Sequence, residues 1–95
     1  MFGFIPVEEA KALIDEGALV VDVRTQPEWD LGHGPSLFLP LDQLMDRVGE
    51  LPKDKALLMV CKSGGRSAQA AMWLRSQGYE AHNLGPWQRS PLVTP

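Results

Sequence analysis

Short, almost unbroken apolar runs alternate along this chain with segments whose apolar residues recur at helical spacing. Ala18-Leu19-Val20-Val21-Asp22-Val23 and Ala56-Leu57-Leu58-Met59-Val60 have turn residues on both sides, the pattern of strands covered on both faces of a parallel sheet. Ser36-Leu37-Phe38-Leu39 and Ala81-His82-Asn83-Leu84 are weaker strand candidates, and Phe2 to Ile5 is a candidate edge strand. Between them, Val7, Ala10, Leu13 and Ile14 share one helix face, with Glu8 and Glu9 in the first turn and Gly17 where a C-terminal cap belongs. Thr25-Gln26-Pro27-Glu28 has capping-box spacing and opens a short helix through Trp29 and Leu31. Leu41, Leu44, Met45 and Val48 mark a third helix. A fourth runs from about Arg66 to Gln77 and stops at Gly78, with a stripe of Ser67, Ala70, Ala71 and Leu74 small enough to approach a sheet closely.

Strands and helices in this rhythm predict an α/β fold: a small parallel β-sheet of four to five strands flanked by helices on both faces. Ligands of such sheets bind at the carboxyl ends of strands. The 95 residues hold one domain, 1–95, with no internal repeat or linker, and an irregular C-terminal tail is expected over about 86–95, where three prolines follow one another without periodicity.

Composition narrows the function. Nine basic against twelve acidic residues give a net charge of −3, so no broad basic field exists to hold nucleic acid, and none is expected as a partner. The apolar runs fall far short of the roughly 20 residues that cross a bilayer, so no membrane role is expected. The amino terminus lacks the basic start and apolar stretch of a secretory signal. With a single cysteine, Cys61, no disulfide can close within the chain, which fits a reducing compartment or a reactive thiol. The chain is therefore read as cytoplasmic.

The informative segment is Cys61-Lys62-Ser63-Gly64-Gly65-Arg66-Ser67. It follows the most apolar strand and opens a helix, which puts the thiol at the carboxyl edge of the sheet before a helix amino terminus. Two adjacent glycines let the backbone curl so that several N–H groups converge on one point, and the free N–H groups of the first helical turn add to them. Lys62 and Arg66 bring positive charge. A free thiol titrates near 8.5, and surroundings of this kind lower that to roughly 3.5–7.5. The helix end supplies only about 0.3–1 kcal/mol, so dipole, amides and cations must act together. A strand-ending cysteine can be a small buried hydrophobe, but this order and spacing points to a nucleophile in an anion-binding cradle.

At this loop the sequence resembles the rhodanese family. The likeness extends over Leu19 to Arg24, Pro27-Glu28-Trp29, Gly32-His33, Leu39-Pro40-Leu41, Cys61 to Ser67, Gly78-Tyr79 and Asn83-Leu84. It implies a single-domain sulfurtransferase without cofactor, in which Cys61 takes a sulfane sulfur from a small sulfur-containing anion such as thiosulfate. The resulting persulfide passes its sulfur to an acceptor: cyanide, a thiol or a protein. By the resemblance, Lys62, Ser63, Gly64, Gly65, Arg66 and Ser67 bind the substrate, their backbone N–H groups stabilising the persulfide while Lys62 and Arg66 attract the donor. With no second cysteine, discharge needs an outside acceptor. Four residues separate Cys61 from Arg66, one fewer than in protein tyrosine phosphatases and the arsenate reductases related to them; by the family's rule the shorter cradle fits sulfur rather than phosphate, which places a cysteine-based phosphatase or arsenate reductase behind the sulfur readings. A persulfide carrier that serves only a specific protein is the alternative.

Other polar residues read as structural support. Asp22, Arg24 and Glu28 are expected to form an ion-pair network bracing the loop, and His33 to be a hydrogen-bonding partner rather than a general base. One cysteine and two separated histidines make no metal site. Trp29 and Trp73 read as packing residues, Met45, Met59 and Met72 as core filler, and Trp87 as surface packing or a pocket rim. Two segments, Gly34-Pro35-Ser36 and Gly85-Pro86-Trp87, depart from the family pattern beside the expected active site, which bears on activity and substrate choice.

Overall fold

The computed structural model describes residues 3–93. Four parallel strands, β1 (Leu19–Asp22), β2 (Leu37–Phe38), β3 (Leu57–Cys61) and β4 (Ala81–Pro86), form one sheet in the order β2-β1-β3-β4. The central pair is in register from Leu19 opposite Leu57 to Asp22 opposite Val60. Side chains on successive strand residues point to opposite faces, and both faces are covered. Val21, Val23, Leu57 and Met59 belong to a core that includes Ala70, Ala71 and Leu74 of helix α4 (Gly65–Ser76). Val20, Leu58, Val60 and Leu84 meet Ala10, Leu13 and Ile14 of helix α1 (Val7–Asp15) on the other. This explains why the β1 and β3 runs are apolar at nearly every position: each fully buried Val or Leu contributes about 1.5–3 kcal/mol.

The ends of the elements follow their local chemistry. Helix α1 closes with Gly17 N–H on Ile14 O and Ala18 N–H on Leu13 O, and α4 repeats the arrangement with Gly78 on Arg75 and Tyr79 on Leu74. Helix α2 (Gln26–Asp30) starts from the expected capping box, Thr25 with Glu28.

Several expectations are corrected. The third helix is broken into a 3-10 turn (Leu41–Gln43), a single α turn, α3 (Leu44–Arg47), and a second 3-10 turn (Val48–Glu50). Only Leu44 of this stretch is fully buried, so one residue anchors it where a helix would need a stripe. Met45 and Met72 are exposed, and Met59 alone of the three methionines fills core. No fifth strand forms among the described residues: Ile5 N–H donates to Asn83 O, but Pro6 has no N–H with which to continue a ladder, and Phe2 lies outside them. The segment from Pro86, expected to be irregular, begins as the end of β4 and continues in a 3-10 turn, Trp87–Arg89; Thr94 and Pro95 lie outside the described residues. Arg89 anchors it by donating to Leu84 O and Ile5 O.

Strand β4 carries a bulge. Met59 pairs with Asn83 but Val60 pairs with Gly85, so Leu84 is an extra residue in β4. Bulges re-aim side chains at the edges of active sites.

Candidate active site

Cys61 is the last residue of β3, and Gly64 caps α4, so a very short turn carries the chain from strand to helix. Gly64 makes this possible with φ +106, a conformation other residues adopt at a cost. Its backbone N–H then points back at Cys61 Sγ, 3.0 Å away, and Ser67 N–H reaches the sulfur at 3.4 Å from the first turn of α4. Ser67 Oγ is 3.3 Å from Sγ. Phe4 packs into the notch that Gly64 and Gly85 leave: a Cβ on Gly64 would lie 2.5 Å from its ring.

Cys61 is 1% exposed, its sulfur set among both apolar and donor groups. Burial raises the thiol's pKa, but the hydrogen bonds from Ser67 Oγ, Ser67 N–H, Gly64 N–H and Ser63 N–H together outweigh it, and Cys61 ionises below its ordinary value. The donors that reach Sγ are thus fewer than the full series from Lys62 to Ser67.

The charged residues sort into two pairs joined through Glu28. Asp22 and Arg24 are both buried, with Arg24 Nη2 2.8 Å from Asp22 Oδ2 and Nε 3.0 Å from both carboxylate oxygens. The remaining Arg24 donors hold Glu28 O at 3.2 Å and Gly32 O at 2.8 Å, tying α2 to the end of β1. The Glu28 carboxylate turns instead to Arg66, Oε1 at 2.6 Å and Oε2 at 2.8 Å. The single expected network is therefore corrected: Arg24 takes the backbone of Glu28 and Arg66 takes its side chain. This bidentate bond, with the Thr25 N–H, holds the Glu28 carboxyl far below the usual range, and Glu28 in turn raises Arg66. Lys62 and Ser63 are exposed at the loop's outer edge, and Gly65 begins α4. His33 stacks on Trp29 at 3.5 Å, its Nδ1 3.0 Å from Trp29 O. Among the described residues no group of three or more His, Cys, Asp or Glu could hold a metal ion.

A cavity of about 190 Å³ opens beside the loop, with Lys62, Glu28, Leu31 and Trp87 in its wall. The altered segment after Leu84 supplies that wall: the Trp87 ring lies against Gly32 and 5.0 Å from the Arg24 guanidinium. Arg66 lines a larger cleft, about 660 Å³, with Thr25, Gln43 and Arg47.

Sequence reasoning placed Asn83 on a strand and in the family likeness but gave its side chain no role. Its side chain, buried on β4, accepts from Ser67 Oγ at 2.6 Å and Gly85 N–H at 3.0 Å and donates to Gly64 O at 3.1 Å. A polar residue beside a bulge-compatible glycine was the available signal.

Comparisons with known proteins place the whole fold among known relatives. A family described as rhodanese-like domain matches residues 6–85. The chain is 39% identical over 79 residues to a thiosulfate sulfurtransferase GlpE of Pseudomonas syringae, covering 82% of this chain and 74% of that protein. It is 43% identical over 65 residues to a sulfurtransferase of Allochromatium vinosum, covering 67% of this chain and 61% of the relative. The human single-domain sulfurtransferase TSTD1 superimposes with a TM-score of 0.76 at 26% identity, covering 90% of this chain and 92% of that one.

Proposed function

The chain belongs to the rhodanese-like family, and from that premise we propose that it is a sulfurtransferase of the thiosulfate type, working through a persulfide on Cys61. The single observation that carries the reading is the pair of backbone N–H groups, from Gly64 and Ser67, directed at a thiol whose ionisation is favoured. Cys61 thiolate attacks the outer sulfur of thiosulfate. A new S–S bond forms, the bond to the central sulfur breaks, and its electron pair leaves on sulfite. The outer sulfur now carries the negative charge, and amide donors around it stabilise that charge without reorganisation. An acceptor nucleophile, cyanide or a thiolate, then attacks the outer sulfur, and the electron pair of the broken bond returns to Cys61. A thiol or a protein fills the acceptor's place in the cell, and the reaction suits the cytoplasm, where thiols stay reduced.

In this reading Lys62 meets the donor's anionic end, Gly64, Gly65 and Ser63 shape the cradle, and Ser67 supports the sulfur. Asp22, Arg24, Glu28 and His33 hold the surrounding framework. Incubation with thiosulfate followed by intact-mass measurement tests it. Wild type gains the mass of one sulfur atom and Cys61→Ser gains none; no gain in wild type, or an equal gain in the variant, overturns the proposal. Rapid loading without thiocyanate release to cyanide would identify a carrier instead.

A further inference from the structure

One hydrogen in the loop has two claimants. Ser67 Oγ lies 2.6 Å from Asn83 Oδ1 and 3.3 Å from Cys61 Sγ, yet a hydroxyl carries a single hydrogen. The orientation of the Asn83 amide is fixed by its other neighbours. Gly64 O can only accept, so Nδ2 faces it at 3.1 Å; Gly85 N–H can only donate, so it meets Oδ1 at 3.0 Å.

While Cys61 is a thiol, its own hydrogen can be donated to Ser67 Oγ, and the hydroxyl donates onward to Asn83. Once the sulfur is an anion it has nothing to donate, and a hydrogen bond to a charged acceptor is roughly twice as strong as one to a neutral carbonyl. The Ser67 hydroxyl then turns to Sγ. Asn83 Oδ1 is not left as a buried unpaired acceptor, because Gly85 N–H stays bound to it. That second donor comes from the β4 bulge, which gives Oδ1 two partners where a regular ladder residue has no such pair.

We infer that Asn83 is a positioning residue for the sulfur chemistry: its carbonyl holds the Ser67 hydroxyl hydrogen while the cysteine sulfur is uncharged and releases it while that sulfur is anionic. Loading with sulfur, the one part that rests on the proposed function, moves the charge from Sγ to the outer sulfur and returns the hydrogen to Asn83. No covalent bond of either residue changes. Among charged groups, Arg66 on α4 is close enough for Cys61 to act on its charge and is paired with Glu28 on α2; Lys62 follows Cys61 in the loop, and the Asp22–Arg24 pair stands where the neighbouring strand β1 ends. From β4 the neighbour is the neutral Asn83.

Asn83 is the only asparagine in the chain, so protein labelled with carbon-13 at asparagine Cγ gives a single side-chain carbonyl resonance. In wild type that resonance is expected to shift with pH at the midpoint found from the rate of Cys61 alkylation. In Ser67→Ala, which keeps the Asn83 bonds to Gly64 and Gly85, the resonance stays flat and alkylation below the midpoint slows about tenfold; Ser67→Thr restores both. A flat wild-type resonance, or an equal shift in Ser67→Ala, overturns the inference. After thiosulfate treatment the resonance returns to its low-pH position. Mass spectrometry reads loading separately, so a protein that takes up no sulfur refutes the transfer reaction while the titration still decides the role of Asn83.

Discussion

Arg66 and Glu28 face each other as a matched fork, Nη1 to Oε1 at 2.6 Å and Nη2 to Oε2 at 2.8 Å, across 38 residues of sequence. The consequence is electrostatic. Arg66 lies close enough for Cys61 to act on its charge, yet its guanidinium is already matched by a carboxylate. Lys62 is exposed and forms no ion pair among the described residues. Under the proposed function the unpaired cation that meets an anionic donor is then Lys62, while the pair of Arg66 with Glu28 ties α4 to α2.

Glu28→Gln tests this division. Glutamine still suits the third helical position of a capping box, so α2 should persist. Arg66 then carries uncompensated charge, and the KM for thiosulfate is expected to fall about two- to fivefold, the range of a partly exposed pair. Lys62→Ala is expected to raise KM by a similar factor and to weaken its dependence on salt. Steady-state kinetics at two ionic strengths measures both, and unchanged KM values would refute the assignment. The pair also predicts a pH effect. Because the folded carboxyl titrates below its unfolded value of about 4.3, the pair's stabilisation is complete above that pH and lost as pH falls below it. Being partly exposed, the pair contributes at most about 1 kcal/mol, and the urea midpoints of wild type and Glu28→Gln should converge in acid.

Gly64→Ala should damage both stability and chemistry. The positive φ alone costs an alanine about 1–2 kcal/mol, and its Cβ would lie 2.5 Å from the Phe4 ring. A destabilisation of at least about 2 kcal/mol is expected, together with loss of the Gly64 N–H bond to sulfur and slower alkylation of Cys61. Adding Phe4→Ala removes the clash but not the backbone strain, so it should recover only part of the loss.

What was legible in the sequence was local or repeated. Val20, Val21, Leu57 and Leu58 are apolar in succession because both sheet faces are covered, and Thr25 with Glu28 spells its cap within four residues. The loop Cys61 to Ser67 could be placed at a strand end because its glycines and the small stripe of α4 lie next to each other in sequence. Choices among distant partners were not legible. Nothing local says that Glu28 prefers Arg66 to Arg24, since both are cations within reach of a folded α2. Nor does spacing separate Met45 from Leu44: a helical pattern predicted both inside, but only one α turn forms between two 3-10 turns, and it buries Leu44 alone. Asn83 was hidden for the same reason: its partners Ser67 and Gly64 are 16 and 19 residues away in sequence, and its third, Gly85 N–H, lies across a bulge that no periodicity encodes.

Asp22→Asn is expected to be the costliest conservative change near the site. Asp22 is fully buried and Arg24 is 4% exposed, so the substitution leaves a guanidinium charge in the interior with only carbonyls and one amide for partners. Breaking a buried pair in this way costs about 3–5 kcal/mol. Urea denaturation should show it directly. Arg24 also carries the bonds to Glu28 O and Gly32 O, so the variant's residual activity should fall through a loosened α2, with kcat affected more than KM. A loss under about 1 kcal/mol would mean that water reaches the pair and that it does not brace the loop.

The ionisation of Cys61 makes a prediction about stability as well as reactivity. The folded thiol titrates below its unfolded value, because hydrogen bonds from Ser67, Gly64 and Ser63 outweigh the effect of burial. Between the folded value and the unfolded value of about 8.5, the unfolded chain therefore binds more protons than the folded one. Stability must rise with pH across that window, reach its full extent above about 8.5, and disappear as pH falls through the folded value. Cys61→Ser lacks a group that titrates there. The difference in unfolding free energy between wild type and Cys61→Ser should thus move in favour of wild type as pH increases from neutral to about 9, and its onset should coincide with the midpoint of alkylation. A difference that stays constant over this range would mean that the amides around the sulfur bind thiol and thiolate alike. They would then lend nothing to the charge that sulfur transfer has to move.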